Sequence, residues 1–152
     1  NQAVMGGIYL PTGTFSKTHI VGIGVDYSRS RRRFGKGIDP ARATGWILNG
    51  GINYYAGKNI TTTGYDFRYG GYLDLHVTGG IIYNPAKDAN LVLTAGPALN
   101  LYKESINAGL RINFFTNYFI SQNWAIGPGV IYKKHVHTEA LVALAMRASY
   151  IF

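Results

Sequence analysis

The chain has 152 residues and a net charge of +8; 14% of it is charged, 14% is aromatic, and it holds 20 Gly, 12 Tyr and no Cys. Without cysteine there is neither a disulfide framework nor a thiolate metal site. The charged share lies well below the ~25% of soluble domains; a mean hydropathy of −0.00 and the lack of any apolar run of ~18 residues exclude a transmembrane helix but leave membrane strands open, because a polar inner face dilutes their hydropathy.

The length suits one domain, 1–152. Asn1 is followed by neither a basic segment nor an apolar one of the secretory kind, so a processed chain is expected. The positive charge is concentrated: Arg29, Arg31, Arg32, Arg33, Lys36 and Arg42 face Asp39 alone, and this one connection carries five of the eight net charges. A nucleic-acid partner is therefore not expected, since the rest of the chain lacks a basic footprint.

Turn signals cut the chain into segments of about ten residues, the length of a tilted membrane strand. Ala3 to Leu10 places Val4, Gly6, Ile8 and Leu10 on one face and ends at Pro11-Thr12-Gly13-Thr14. His19 to Ser30 alternates Val21, Ile23, Val25 and Tyr27 with Gly22, Gly24, Asp26 and Ser28. Beyond the basic connection, Thr44 to Ala56 sets Trp46, Leu48, Ile52 and Tyr54 against Asn49, Gly51 and Asn53. A polar connection, 57–66, is expected to lead into a long strand from Arg68 to Tyr83, with Tyr69, Leu73, Leu75, Val77, Ile81 and Tyr83 opposite Tyr72, Asp74, His76 and Thr78. Leu91 to Tyr102 follows, with Pro97 arguing against an uninterrupted ladder. Ser105 to Ile120 alternates Ile106, Leu110, Ile112, Phe114 and Tyr118 with Asn107, Gly109, Arg111, Asn113 and Asn117. Trp124 to Lys134 has Trp124, Ile126, Val130 and Tyr132 on one face. The last segment, Thr138 to Phe152, pairs an apolar face of Ala140, Val142, Leu144, Met146, Ala148 and Tyr150 with a face carrying Glu139, Arg147 and Ser149. Period two throughout predicts eight strands and no intervening amphipathic helix. An even count returns both termini to one end, as an antiparallel up-and-down barrel requires.

The polar parity is rich in Gly, Ser and Asn and holds few charges of mixed sign, as suits the packed lumen of a small barrel rather than a wet surface. Asp26, Asp74, His76, Arg111, Glu139 and Arg147 are the expected interior network. Aromatics on the apolar parity cluster at strand ends. Tyr27, Trp46, Tyr83, Tyr118, Trp124, Tyr150 and Phe152 fall at one level, and Tyr54, Tyr69 and Tyr132 at the other, as two girdles would. The steps from Trp46 to Tyr54 and from Trp124 to Tyr132 span roughly 20 Å at ~3.3 Å per residue and ~40° tilt, close to the ~25 Å apolar band of membrane barrels.

With these strands, girdles and the closing Ala148-Ser149-Tyr150-Ile151-Phe152, the chain resembles the small eight-stranded outer-membrane β-barrels of the OmpA/OmpX-like group along nearly its whole length. Tyr9-Leu10-Pro11-Thr12-Gly13-Thr14-Phe15 is similar to the opening of OmpW-like barrels. The resemblance implies a Gram-negative outer membrane with periplasmic termini, and the closing pentapeptide looks like the signal read by the outer-membrane insertion machinery. It also places the basic connection on the periplasmic side, as a docking site for a partner protein or for anionic headgroups or as a solvated turn.

Three roles are consistent with these residues: a non-enzymatic scaffold or accessory subunit with a filled interior, a channel or carrier for apolar molecules, and a lipid-modifying enzyme. His135, His137 and Glu139 could chelate a metal or supply a base, but exposed loop histidines are expected, with no metal and no cofactor. Ser105, Glu104 and a histidine could form a hydrolase triad only on paper. The expected partners are outer-membrane lipids and another membrane or periplasmic protein.

Overall fold

The computed structural model describes residues 1–31, 36–37, 44–136 and 139–152. In chain order these form β1 (Gln2–Thr12), α1 (Phe15–Thr18), β2 (His19–Ser30), β3 (Thr44–Gly57), β4 (Asn59–Thr62), β5 (Tyr65–Arg68), β6 (Tyr72–Ala86), β7 (Ala89–Tyr102), β8 (Ser105–Phe119), β9 (Trp124–His135) and β10 (Leu141–Ile151). Eight strands close into an antiparallel barrel in the order β1-β10-β9-β8-β7-β6-β3-β2, while β4 and β5 make a separate hairpin. Closure is made by β1 on β10, in register from Ala3 opposite Ile151 to Thr12 opposite Val142. Both termini therefore share one end with the close of β2, the start of β3 and the connections 87–88 and 120–123. The opposite end carries α1, the β4–β5 hairpin, the turn 103–104, the close of β9 and the start of β10.

The two parities separate cleanly around the wall. Ile23, Val25, Leu48, Val77, Leu93, Leu144 and Met146 are exposed on the outside, whereas Asp26, Asn53, Asp74, Arg111, Asn113 and Arg147 are buried inside. An apolar exterior around a polar lumen is the arrangement that lipid selects, with every backbone group of the wall able to pair within the closed sheet.

Pro97 lies within β7 with its ring on the exposed face. The ladder from β7 to β6 skips the pairs Val77–Pro97 and Thr78–Gly96 and resumes at Gly79–Ala95, while the ladder to β8 continues through Pro97–Leu110. The missing donor is thus confined to one side of one strand.

Two expectations need correction. The stretch 57–66 is not a plain polar connection, and no strand starts at Arg68; β4 and β5 fold as a hairpin, turning at Gly64 with φ +94°, and the barrel strand begins at Tyr72. Every residue of this hairpin is exposed, and its strands of four residues each are too short for their period to mark them off from the next barrel strand. A helical turn, α1, also caps the same end, and its Phe15 is only 3% exposed because it drops into the barrel mouth.

Close backbone approach explains two inward glycines. A Cβ on Gly127 would collide with the carbonyl oxygen of Thr116, and one on Gly129 with the ring of Phe115. Outward Gly79 is different, since a Cβ added there would find its nearest neighbours, Ile47 O and Leu48 Cδ1, 3.9 Å away. We predict that Gly127→Ala destabilises the barrel by about 1–3 kcal/mol while Gly79→Ala stays within about 0.5 kcal/mol of the parent, as measured by urea unfolding midpoints in lipid vesicles; equal midpoints would contradict the packing.

Candidate functional site

The lumen is filled by a polar network that every barrel strand helps to build. Asp74 on β6 lies at its centre. Its Oδ2 accepts from Arg111 Nη1 of β8 and lies 3.2 Å from Lys133 Nζ of β9. Arg111 Nε donates to Asn113 Oδ1 at 2.7 Å. Asn53 of β3, its amide oriented with the oxygen toward the guanidinium, accepts from Arg111 Nη1 and Nη2 at 2.7 and 2.9 Å. Arg111 Nη1 also stands 2.9 Å from His76 Nδ1. His76 Nε2 in turn stands 3.1 Å from Asp26 Oδ1. Asp26 of β2 is then held on its other oxygen by Arg147 Nη1 of β10 at 3.5 Å and by the Tyr9 hydroxyl of β1 at 3.3 Å. Thr94 of β7 joins through Asn113 Nδ2, which donates to its hydroxyl at 3.1 Å.

Ring faces complete the cation environment. Lys133 Nζ lies 4.5 Å from the Tyr55 ring centroid and 4.9 Å from that of Tyr72, and the Arg147 guanidinium rests 3.1 Å above Phe115. Among the described residues the buried carboxylates Asp26 and Asp74 face the buried side chains of Arg111, Lys133 and Arg147, with His76 between them. Asp74 serves two cations at once, so its removal strands more charge than any other single change.

The structure moves Glu139, His135 and Tyr69 from the places expected from sequence and adds Lys133. Glu139, expected in the interior, is exposed at the turn before β10. His135, expected in an exposed loop, is buried as the last residue of β9, opposite Gly109, with its ring edge-on to Tyr72. Lys133 is absent from the interior charges expected from sequence; its place on the inward parity of β9 is the available signal, and its position near the strand end conceals it. Arg32, Arg33, Arg42 and His137 lie outside the described residues. Ser105 and Glu104 are exposed whereas His135 is buried, so the three are not presented together on one surface. Among the described residues there is no group of three or more His, Asp or Glu that could hold a metal ion.

Above the network, at the end away from the termini, an open cup of about 270 Å³ is lined by Phe15, His19, Tyr69, Tyr72, Tyr102 and His135, with Asn100 and Asn107 among its polar groups. Phe15 packs 5.0 Å from Tyr55 and 5.4 Å from Tyr72 between ring centroids, closing the cup from below. Tyr69 belongs to this cup and to the 69–71 connection rather than to the outer-wall girdle expected from its parity. Toward the terminal end the lumen narrows to a void of about 10 Å³ between Asn90, Asn117, Ile47 and Phe119.

On the outside, Tyr27, Trp46, Tyr83, Tyr118, Trp124, Tyr150 and Phe152 are exposed toward the terminal end, and Tyr54 and Tyr132 toward the other. Trp124 and Tyr150 pack together at 5.1 Å, and Tyr150 stacks on Phe152 at 6.3 Å. Arg29, Arg31 and Lys36 are exposed at the terminal end.

No protein-family model matches the sequence, and no curated protein matches it either. The fold, however, is shared over almost the full chain with solved structures. The outer membrane protein Ail of Yersinia pestis, in a phospholipid bilayer nanodisc, matches with a TM-score of 0.67 at 13% identity over 99% of this chain and 98% of its own. This is the fold of the small eight-stranded outer-membrane β-barrels. Neisserial surface protein A matches at a TM-score of 0.56 and 13% identity, covering 99% of this chain and 96% of that one. The N-terminal β-barrel domain of Pseudomonas aeruginosa OprF does so at 0.53 and 9%, covering 97% and 96%.

The network predicts a specific energetic order. Asp74→Asn leaves both Arg111 and Lys133 short of a counter-charge in a buried site and is expected to cost about 3–5 kcal/mol, with Lys133→Met on the same background recovering part of the loss. Urea unfolding in vesicles checks this; an Asp74→Asn barrel as stable as the parent would contradict the assigned pairing.

Proposed function

We propose that the protein is a non-enzymatic β-barrel of a Gram-negative outer membrane, with both termini in the periplasm, acting as a scaffold or accessory subunit of a membrane complex. The observation that carries this reading is the filled lumen: a chain of ion pairs and hydrogen bonds crosses the barrel from Lys133 through Asp74, Arg111 and His76 to Asp26 and Arg147. Such an interior rigidifies a wall rather than conducting. The fold shared with outer-membrane barrels supports the membrane, and the brevity of turns such as 103–104 speaks against a large ligand-binding crown. Outer-membrane lipids are the immediate partners. A further membrane or periplasmic protein would meet the wall or the basic terminal end.

One observation favours a second reading, a carrier for apolar molecules: the aromatic cup at the end away from the termini has room for a small ligand. Its floor of Phe15, Tyr55 and Tyr72 stops the route there. The purified protein in planar bilayers is expected to give no defined conductance step, and co-purification from native membranes in mild detergent is expected to retain a partner protein. A reproducible unitary conductance would overturn the scaffold reading in favour of the channel.

A further inference from the structure

The outward face of β2 changes character as it approaches the terminal end. It runs Ile23, Val25, Tyr27, Arg29, and Arg31 continues the same parity just beyond the strand. Apolar residues, then a belt tyrosine, then two arginines form the sequence a strand must present as it passes from acyl chains through the interface into the headgroups. Neither guanidinium is paired with a carboxylate among the described residues.

The neighbouring strands add a receptacle to these two cations. Arg29 lies opposite Leu48, and the Arg31 backbone N–H donates to the Trp46 carbonyl at 3.3 Å. Trp46 is 74% exposed, the most exposed girdle residue on the wall. Continuing the row from Leu48 reaches Gly79 on β6 and Ala95 on β7. These two small outward residues leave a recess beside Leu48, as Gly6 and Ala148 do on another part of the wall, and a Cβ on Gly79 would meet only ordinary contacts. An open groove of about 650 Å³ runs from Arg29 and Arg31 past Trp46 and Leu48 to Gly79. One end is thus cationic and forked, matched to a phosphate; the other is apolar and on the lipid-facing wall.

We infer that this groove binds one anionic glycerophospholipid, its phosphate held by Arg29 and Arg31 beside Trp46 and an acyl chain lying in the recess at Gly79. The inference rests on the membrane reading above and gives the basic end a lipid ligand. The apolar half of the groove selects a lipid over a free phosphate, and its position on the wall selects a lipid over a periplasmic protein.

The test uses the full chain in neutral detergent, titrated with dioleoylphosphatidylglycerol, dioleoylphosphatidylcholine or sn-glycerol 3-phosphate and observed by native mass spectrometry. One phosphatidylglycerol is expected to stay bound, at least about tenfold more tightly than phosphatidylcholine. Arg29→Gln with Arg31→Gln is expected to weaken it about tenfold or more, and Gly79→Leu to do the same by filling the recess. Lys58→Gln with Lys103→Gln, at the opposite end, is expected to leave binding unchanged. Each variant must keep the heat-dependent gel mobility of a folded barrel, which separates failure of the membrane reading from failure of the lipid site. Equal retention of the two lipids, unchanged binding in the arginine variant, or glycerol phosphate binding as tightly as the lipid would each overturn the proposal. So would loss of binding in the opposite-end variant, which would show diffuse charge attraction.

Discussion

Backbone hydrogen bonding inside a hydrocarbon layer is the constraint on which the rest of this molecule depends. A strand in lipid cannot leave an edge unpaired, so β1 must find β10, and once eight strands have closed, the lumen is narrow enough for inward side chains to fill most of it. The polar parity is then committed to a dry space. Charges placed there must meet one another, and the Asp74–Arg111–His76–Asp26 series does this with partners from strands far apart in sequence. The network and the closure therefore support each other: the pairs are in reach only in the closed barrel, and the closed barrel is held in one register by the pairs.

The two ends of the lumen are sealed by different chemistry. Toward the termini, Ile47, Ile82, Val92, Phe119 and Ile151 form an apolar stopper around the Asn90–Asn117 hydrogen bond of 2.7 Å. Toward the other end, rings from Phe15, Tyr55 and Tyr72 stack over the charged layer and bring Lys133 against their faces. Buried aromatic and aliphatic layers of this kind exclude water from the ion pairs, which strengthens each pair and raises the cost of leaving one unmatched. The barrel gains a single rigid wall from this arrangement, and a rigid wall is what a groove on its outer surface needs in order to keep its shape.

The eight barrel strands are legible in the sequence because burial in a membrane barrel acts on every second residue. The same rule identifies Asp26, Asp74, His76, Arg111 and Arg147 as inward-pointing, since parity alone fixes the face. Where no such one-sided burial operates, the sequence is silent. The β4–β5 hairpin is exposed on both sides; Tyr65 and Phe67 alternate with Asp66 and Arg68, but four residues are too short a run to separate a strand of its own from the one that follows. Lys133 and His135 lie near the end of β9, where a basic residue reads as a solvated rim; the long lysine stem instead carries its charge inward to Asp74. Glu139 continues the parity of β10 on paper, yet the strand begins at Leu141, and beyond the strand the rule no longer applies.

The central claim is that lipid lies outside and the charged network inside, and alternate positions of one strand report it most directly. The chain has no cysteine, so single cysteines can be placed at Ala143, Leu144, Ala145 and Met146 of β10, spin-labelled and reconstituted in vesicles. Oxygen, which concentrates in the bilayer, is expected to relax labels at 144 and 146 strongly, and labels at 143 and 145 are expected to be shielded from both oxygen and a water-soluble nickel chelate. Alternation of the opposite sense, or free access of the chelate to 144 and 146, would contradict the account.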